Sequence, residues 1–374
     1  MDNTQEGNNL VQLFTELERQ KKTKRDFVIP SDQIKTDTVT LESGTKEIRL
    51  YIPSDTNFPS DVGVTPSALH FGITDHAHSQ IAEKTKIPKG FYDRLKADHP
   101  ELLVKNINQL IAEKDRRMVR TLDGNVRAVV SPKYRIIDNY DVTFEAMNIF
   151  KQLNDQNQSG IGIRRADLTP TRLYIKATSE SLIDQIFPKK EKRETGDAVK
   201  GGIIIANSEV GDGAFKVMPF MEVLKCSNGM ISDDILKRVH IGRDKGIGEI
   251  NWQEDTLRKQ DEALWLKIRD MISGTFNPEI FHKWVDKINE VATIEIEKPV
   301  LAVNNVIKNY NVNKDKAELL LAQFAQEGYN KWGLSNAITA VAKTENNYEK
   351  QIEMEKLGAD ILNVPVEKLV EVNE

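Results

Sequence analysis

The chain has 374 residues and a formal net charge of −5, with 39% hydrophobic and 29% charged residues. It is long enough for two or three domains, or for one core with a helical appendix. A single cysteine, Cys226, excludes an intrachain disulfide. No stretch reaches the ~18–20 apolar residues of a membrane span, and the N-terminus lacks the order of a secretory signal. We therefore predict a cytoplasmic protein with no membrane partner.

The first 115 residues predict helices around one β-hairpin. Leucines at helical spacing indicate an amphipathic helix at 9–20, which is followed by the basic run 21–25. Residues 36–52 alternate as a hairpin, and a Pro- and Ser-rich connector covers 53–66. Helical spacing returns over 74–115.

Residues 118–130 predict the hairpin on which the functional interpretation depends. Asp123-Gly124 lies between two β-prone runs, and glycine tolerates the positive φ that such a turn needs. Alternation gives the hairpin one apolar side, with Val119 and Val129 buried, and one cationic side. The cationic side is either a binding surface or a solvated outer face.

A third hairpin and an apolar sheet follow. Residues 162–176 alternate around Thr169-Pro170 and again carry arginines on their strands. Residues 201–210 read as a buried strand and 214–225 as its return, and helical periodicity dominates from Asn251.

These elements predict an α+β protein, with antiparallel β-hairpins and packed helices followed by an all-helical C-terminal part. We expect an N-terminal helix and hairpin at 1–66, a core domain with the arginine-rich hairpins at 67–250, and a helical region at 251–374. The helical region is expected to be separable, because the hydrophobic period changes where it begins.

Charge is unevenly distributed along the chain. Residues 111–190 contain 14 Lys and Arg against 10 Asp and Glu, a local +4, whereas residues 251–374 carry about −6. Arginine-lined strands with nearby tyrosines are typical of surfaces that track phosphates and stack bases. The candidate nucleic-acid-binding residues are Arg116, Arg117, Arg120, Arg127, Lys133, Tyr134, Arg135, Arg164, Arg165, Arg172 and Lys176.

Motifs for catalysis and metal binding are sparse. The chain has no GxxxxGK[ST], GxSxG or HExxH motif. Asn207, Glu209 and Asp212 could hold Mg²⁺, but an ordinary hairpin turn without a metal would show the same residue pattern. The HxH pair at 76–78 lacks the further ligands of a closed zinc site. We predict no catalytic residue, metal or cofactor, and we interpret Cys226 as structural.

Four segments resemble the phage- and plasmid-borne family called domain of unknown function 932. They are RTLDGNVRAVVSPKYRIIDN at 120–139, ANSEVG at 206–211, LKCSNGM at 224–230 and WGLSNAIT at 332–339. The resemblance covers about residues 78–342 and implies a mobile element in a bacterial host cell, but no site residues. Hairpin-plus-helix units with arginine-lined strands also resemble phage single-strand annealing proteins, which implies a ring-forming homo-oligomer.

We predict a non-catalytic nucleic-acid-binding protein, with single-stranded DNA favoured and annealing or recombination as its role. Two alternatives stay open. One is an interaction module that captures a host defence protein, and the other is a metal-dependent enzyme that acts on nucleotides or nucleic acid through Asn207, Glu209 and Asp212.

If Arg120 and Arg127 contact phosphate, replacing both by Ala should weaken DNA binding for all sequences. The log–log salt slope should flatten by roughly one to two units, because each phosphate contact releases about one counterion. Unfolding measurements on the same variant should show little change if both side chains face solvent.

Overall fold

A computed structural model describes residues 3–53, 68–113, 116–188, 196–225, 228–231, 254–345 and 347–371. Cys226 and most of the connector at 53–66 lie outside these residues, so their predicted roles stay predictions. Within the described ranges, no helix is long and apolar enough to cross a bilayer.

An N-terminal sheet contains six strands. They are β1 (Arg25–Pro30), β2 (Lys35–Thr40), β3 (Lys46–Pro53), β4 (Ala68–Ile73), β5 (Arg116–Leu122) and β6 (Asn125–Val130). Their spatial order is β1-β5-β6-β4-β3-β2, and only the β4–β6 pair among them is parallel. The helices that pack on one face are α2 (Asp75–Lys84), α3 (Lys89–Asp98) and α4 (Pro100–Leu110).

Strands β5 and β6 form the predicted hairpin. Asp123 and Gly124 have φ values of 51° and 74°, which are the two positive angles of a type I′ turn. Val119 and Val129 are both fully buried against the helices, which confirms the predicted apolar side.

A central sheet contains the next five strands. They are β7 (Ile161–Leu168), β8 (Leu173–Ile186), β9 (Asp197–Asn207), β10 (Lys216–Val223) and β11 (Asn228–Ile231), and each pairs antiparallel with the next. Four of the helices that contribute to its largest core are α1 (Asn3–Thr23), α5 (Asn139–Asn157), α6 (Glu254–Thr275) and α7 (Pro278–Ala292).

Five further helices follow in the part of the chain that the structure describes. They are α8 (Pro299–Asn309), α9 (Ala317–Glu327), α10 (Lys331–Ala342), α11 (Tyr348–Asn363) and α12 (Val366–Leu369). These helices bury a core of their own, to which Val306, Phe324 and Ile338 belong. Helix α11 also lies on the central sheet, where Tyr348 and Ile352 pack beside Tyr174.

The chain is therefore mixed α+β with an all-helical region from α6 to α12, as the sequence predicts. The expected boundary at residue 66 falls between β3 and β4, which are paired neighbours in one sheet. The expected boundary near residue 251 precedes α6, whose Leu264 and Ile268 belong to the core of the central sheet. Helix α6 therefore shares a core with the central sheet, and the separability of the helical region stays a prediction.

Helix α2 contains a buried histidine that makes stability depend on pH. The His78 side chain is only 3% exposed, and its Nδ1 lies 2.8 Å from the Tyr92 hydroxyl. Burial lowers the pKa of His78 from 6.5 to about 4. The unfolded chain therefore takes up a proton at a higher pH than the folded chain, and folded stability falls as pH drops from about 6.5 to about 4.

We expect the free energy of unfolding to fall by about 3 kcal/mol across this window through His78 alone. His78→Asn should remove that part of the loss, which urea unfolding at pH 7, 5.5 and 4.5 would measure. The exposed His99 gives the control, since His99→Asn should keep the wild-type pH dependence. An equal pH dependence in His78→Asn and the wild type would contradict the assignment.

Candidate nucleic-acid interface

Arg120 is the most deeply buried of the predicted phosphate contacts. Its Nε and Nη2 donate hydrogen bonds to the two carboxylate oxygens of Asp26, at 2.8 and 2.9 Å. Its Nη1 donates to the backbone carbonyl of Glu209. The side chain has no exposed surface, so the expectation that it faces solvent is wrong.

Glu209 follows β9 and is the acceptor that joins the two sheets. Its Oε2 lies 2.6 Å from Nη1 of Arg127, and its Oε1 accepts a 2.6 Å hydrogen bond from the backbone N–H of Asn139. Lys24 Nζ lies 3.4 Å from Glu209 Oε1 and 2.7 Å from Asp138 Oδ1. We call this set the Glu209 network, and its members are Lys24, Asp26, Arg120, Arg127, Asp138 and Glu209.

The electrostatics of the network keep Glu209 ionised. Burial alone would raise the pKa of its carboxyl group. The charges of Arg127 and Lys24, the Asn139 amide and the charge of Arg120 outweigh that effect and hold the pKa below its ordinary value. The two arginines are therefore partners of a buried anion rather than free cations.

A β-bulge explains why Arg127 points into the network. Arg120 is opposite Ala128 and Thr121 is opposite Val126, so Arg127 is the extra residue in β6. A bulge re-aims a side chain at the point where it interrupts the ladder. Arg127 is thereby only 7% exposed, and the expectation that it faces solvent is also wrong.

The residues beside this hairpin have mixed surroundings. Tyr134 donates a hydrogen bond to the Ser208 carbonyl at 2.9 Å and accepts one from the Gly211 amide at 3.2 Å, so it fixes the turn after β9. Arg117 is buried, and Arg135 is half-buried. The exposed members are Arg116, which also donates to the Val28 carbonyl, and Lys133.

The cations of the hairpin at 162–176 are paired with carboxylates. Arg164 lies 3.4 Å from Glu180 and Arg165 lies 2.6 Å from Asp167. The cations nearest α11 reach carboxylates on that helix, because Arg172 Nε lies 3.4 Å from Glu349 and Lys176 Nζ lies 3.1 Å from Glu355. Part of the charge segregation in the sequence is therefore neutralised inside the molecule.

The candidate Mg²⁺ residues also have other interaction partners. Asn207 donates to the Ile137 carbonyl and to Asn139, Glu209 belongs to the network, and Asp212 pairs with Arg172 at 3.2 Å. Among the residues that the structure describes, no three acid, histidine or cysteine side chains come together as a metal site.

A separate groove of about 1240 Å³ opens between the C-terminal end of α8 and helix α11. Lys308, Lys314 and Lys350 line it and are exposed. None of these three makes an ion pair with another described residue, whereas Arg120, Arg127 and Lys176 all do. We call this cavity the lysine groove. Its lining includes three acidic residues as well, which are Glu345, Glu353 and Asp360.

The lysine groove combines an apolar floor with polar walls. Ile307, Val312, Met354 and Leu357 lie at its base and are nearly buried. Tyr310 stands on its wall with 39% of its surface exposed. Four side-chain amides add hydrogen-bond donors and acceptors to the wall, and they belong to Asn304, Asn309, Asn311 and Asn313.

Sequence reasoning missed this groove. The run 304–314, NNVIKNYNVNK, contains five asparagines, one tyrosine and two lysines between two predicted helical regions. That composition is a usable signal, because amides, an aromatic ring and lysines are the groups that contact bases and phosphates. Its partner face on α11 follows more than thirty residues later, and only the fold brings the two together.

Comparisons with known proteins give no relative. No family model matches the sequence, and no curated protein and no solved structure is similar to it. The resemblance to domain of unknown function 932 therefore stays a prediction that depends on its four segments.

Because Arg120 is fully buried and paired, Arg120→Ala should lower the free energy of unfolding by about 3–5 kcal/mol, since it leaves Asp26 without its partner. The exposed Arg116 is the matched control, and Arg116→Ala should change stability by no more than about 0.5 kcal/mol. Urea unfolding measures both. A loss below about 1 kcal/mol for Arg120→Ala would show that the network does not stabilise the fold.

Proposed function

We propose that the protein binds single-stranded nucleic acid in the lysine groove, without a chemical step of its own. The observation that carries the proposal is the set Lys308, Lys314 and Lys350, which are exposed and make no ion pair within the described ranges. Exposed lysines are available to neutralise phosphates, whereas the cations of the Glu209 network are not.

The form of the groove favours a single strand. Unpaired bases offer flat apolar faces and free hydrogen-bonding edges, which suit an apolar floor, an exposed tyrosine and amide side chains. A volume of about 1240 Å³ also exceeds the 300–1,000 Å³ typical of small-molecule pockets, so an extended ligand fits better.

The charge of the groove sets how strongly salt should act. The lysines that line it, including Lys356, are partly balanced by Glu345, Glu353 and Asp360. About three lysine–phosphate contacts correspond to a log–log salt slope of roughly −2 on single strands. This is a shallow dependence, so stacking and hydrogen bonds would supply much of the affinity.

The setting is part of the proposal. A bacterial mobile element, a role in annealing or recombination, and assembly as a homo-oligomer all come from the resemblances in the sequence. The groove supports them in one respect only, because annealing proteins must hold single strands.

A second candidate is capture of a host defence protein in the same groove. The observation that favours it is the mixed charge of the lining, because a segment with alternating charges could pair with Lys308 and Glu353 together. If the groove captures a protein segment, the protein should show no preference for an oligonucleotide over a peptide.

The test is fluorescence anisotropy with labelled single- and double-stranded oligonucleotides across a salt series, with and without Mg²⁺. We expect tighter binding to single strands, a slope of roughly −2 and no Mg²⁺-dependent turnover of the oligonucleotide. The variant Lys308→Gln/Lys314→Gln/Lys350→Gln should bind roughly tenfold or more weakly with a flatter slope.

Helices α6 and α7 offer a matched control with the same change in charge. Lys267, Lys283 and Lys287 are exposed there and lie away from the lysine groove. The variant Lys267→Gln/Lys283→Gln/Lys287→Gln should keep wild-type affinity. Equal losses in both triple variants would mean that binding follows net charge rather than the groove, and no binding by the parent protein would favour the protein-capture function.

A further inference from the structure

A smaller cavity of about 220 Å³ lies where the ends of β8, β9 and β10 meet α11. Three cations and two carboxylates line it, and they are Arg172, Lys216, Lys356, Glu349 and Glu353. We call it the Tyr174 cavity, after the tyrosine in its wall. It is too small for several nucleotides but large enough for one charged group with part of a sugar.

Tyr174 gives this cavity a buried donor. The residue is 2% exposed, and its hydroxyl oxygen accepts a 3.2 Å hydrogen bond from Arg172 Nη1. The hydroxyl proton is therefore directed to an acceptor other than Arg172. Burial raises the pKa of Tyr174, so the hydroxyl stays protonated at neutral pH and can donate to an anion.

The cation beside Tyr174 is held in place. Arg172 donates to the backbone carbonyl of Asp212 at 2.8 Å, and it lies 3.2 Å from the Asp212 carboxylate and 3.4 Å from the Glu349 carboxylate. A guanidinium fixed in this way is pre-organised, which lowers the entropy lost when it binds an anion.

The Tyr174 cavity and the lysine groove are neighbours, because Glu353 and Lys356 line both. A ligand that extends along the groove can thus place one end in the cavity. A hydroxyl donor beside a guanidinium suits the oxygen atoms of a phosphate, which accept several hydrogen bonds at once.

We propose that the Tyr174 cavity binds a phosphate monoester, as the terminal phosphate of a single strand whose following nucleotides lie in the lysine groove. This inference depends on the proposed function for its source of phosphate. A free nucleoside monophosphate carries the same group, so the test separates the two sources.

The first arm compares labelled single strands with a 5′-phosphate, a 3′-phosphate or hydroxyls at both ends, using the full chain. We expect one phosphorylated end to bind about tenfold more tightly than the unphosphorylated strand, as a charge-assisted hydrogen bond allows. Tyr174→Phe should abolish this preference and leave binding of the unphosphorylated strand unchanged. Tyr329→Phe, at an exposed tyrosine elsewhere, is the control and should keep the preference.

The second arm measures binding of a nucleoside monophosphate and of inorganic phosphate by isothermal titration. If the parent protein binds no oligonucleotide but Tyr174→Phe removes binding of the monophosphate, the proposed function fails and the cavity stands as a mononucleotide site. If strands bind equally with and without a terminal phosphate, and neither small anion binds, the cavity proposal is overturned while the groove remains. Lys216→Gln gives a second variant in case Tyr174→Phe does not fold.

Discussion

The burial of Arg120 and Arg127 between two sheets is the constraint on which the rest of the structure depends. Removing a guanidinium from water costs several kcal/mol unless good partners replace the water. The Glu209 network supplies them in balance, with three cations and three carboxylates. Its members come from β1 and the residue before it, from β5 and β6, and from the segments after β9 and before α5. Satisfying these charges therefore fixes how the N-terminal sheet sits on the central sheet.

The sequence predicts the local structure around this network well. It predicts poorly which distant residues pack against it. Asp123-Gly124 specifies the turn through backbone φ, and alternation places Val119 and Val129 on one side. Alternation cannot say what covers the other side. The acceptor of Arg120 is 89 positions away in the chain, at Glu209. The bulge at Arg127 has no local signal either, because it depends on how β6 meets that distant anion.

Charge segregation along the chain also has a different meaning in the folded protein. A basic region and an acidic tail suggest an external partner when they are read in order. In the fold, Lys176 meets Glu355 and Arg172 meets Glu349, so basic strands and acidic helix α11 partly satisfy each other. Such pairs help to place α11 on the central sheet, although at partly exposed sites like Arg172 each contributes little stability.

The surface available to a ligand consists of the groups that these internal ion pairs do not use. The lysine groove forms between the C-terminal end of α8 and helix α11, where Lys350 and Lys308 have no carboxylate at ion-pair distance among the described residues. Acidic side chains lie in the same groove as its apolar floor and Tyr310. In the proposed function, stacking and amide hydrogen bonds would contribute more to selectivity at this surface than net charge does. The overall charge of −5 is therefore compatible with nucleic-acid binding at one groove.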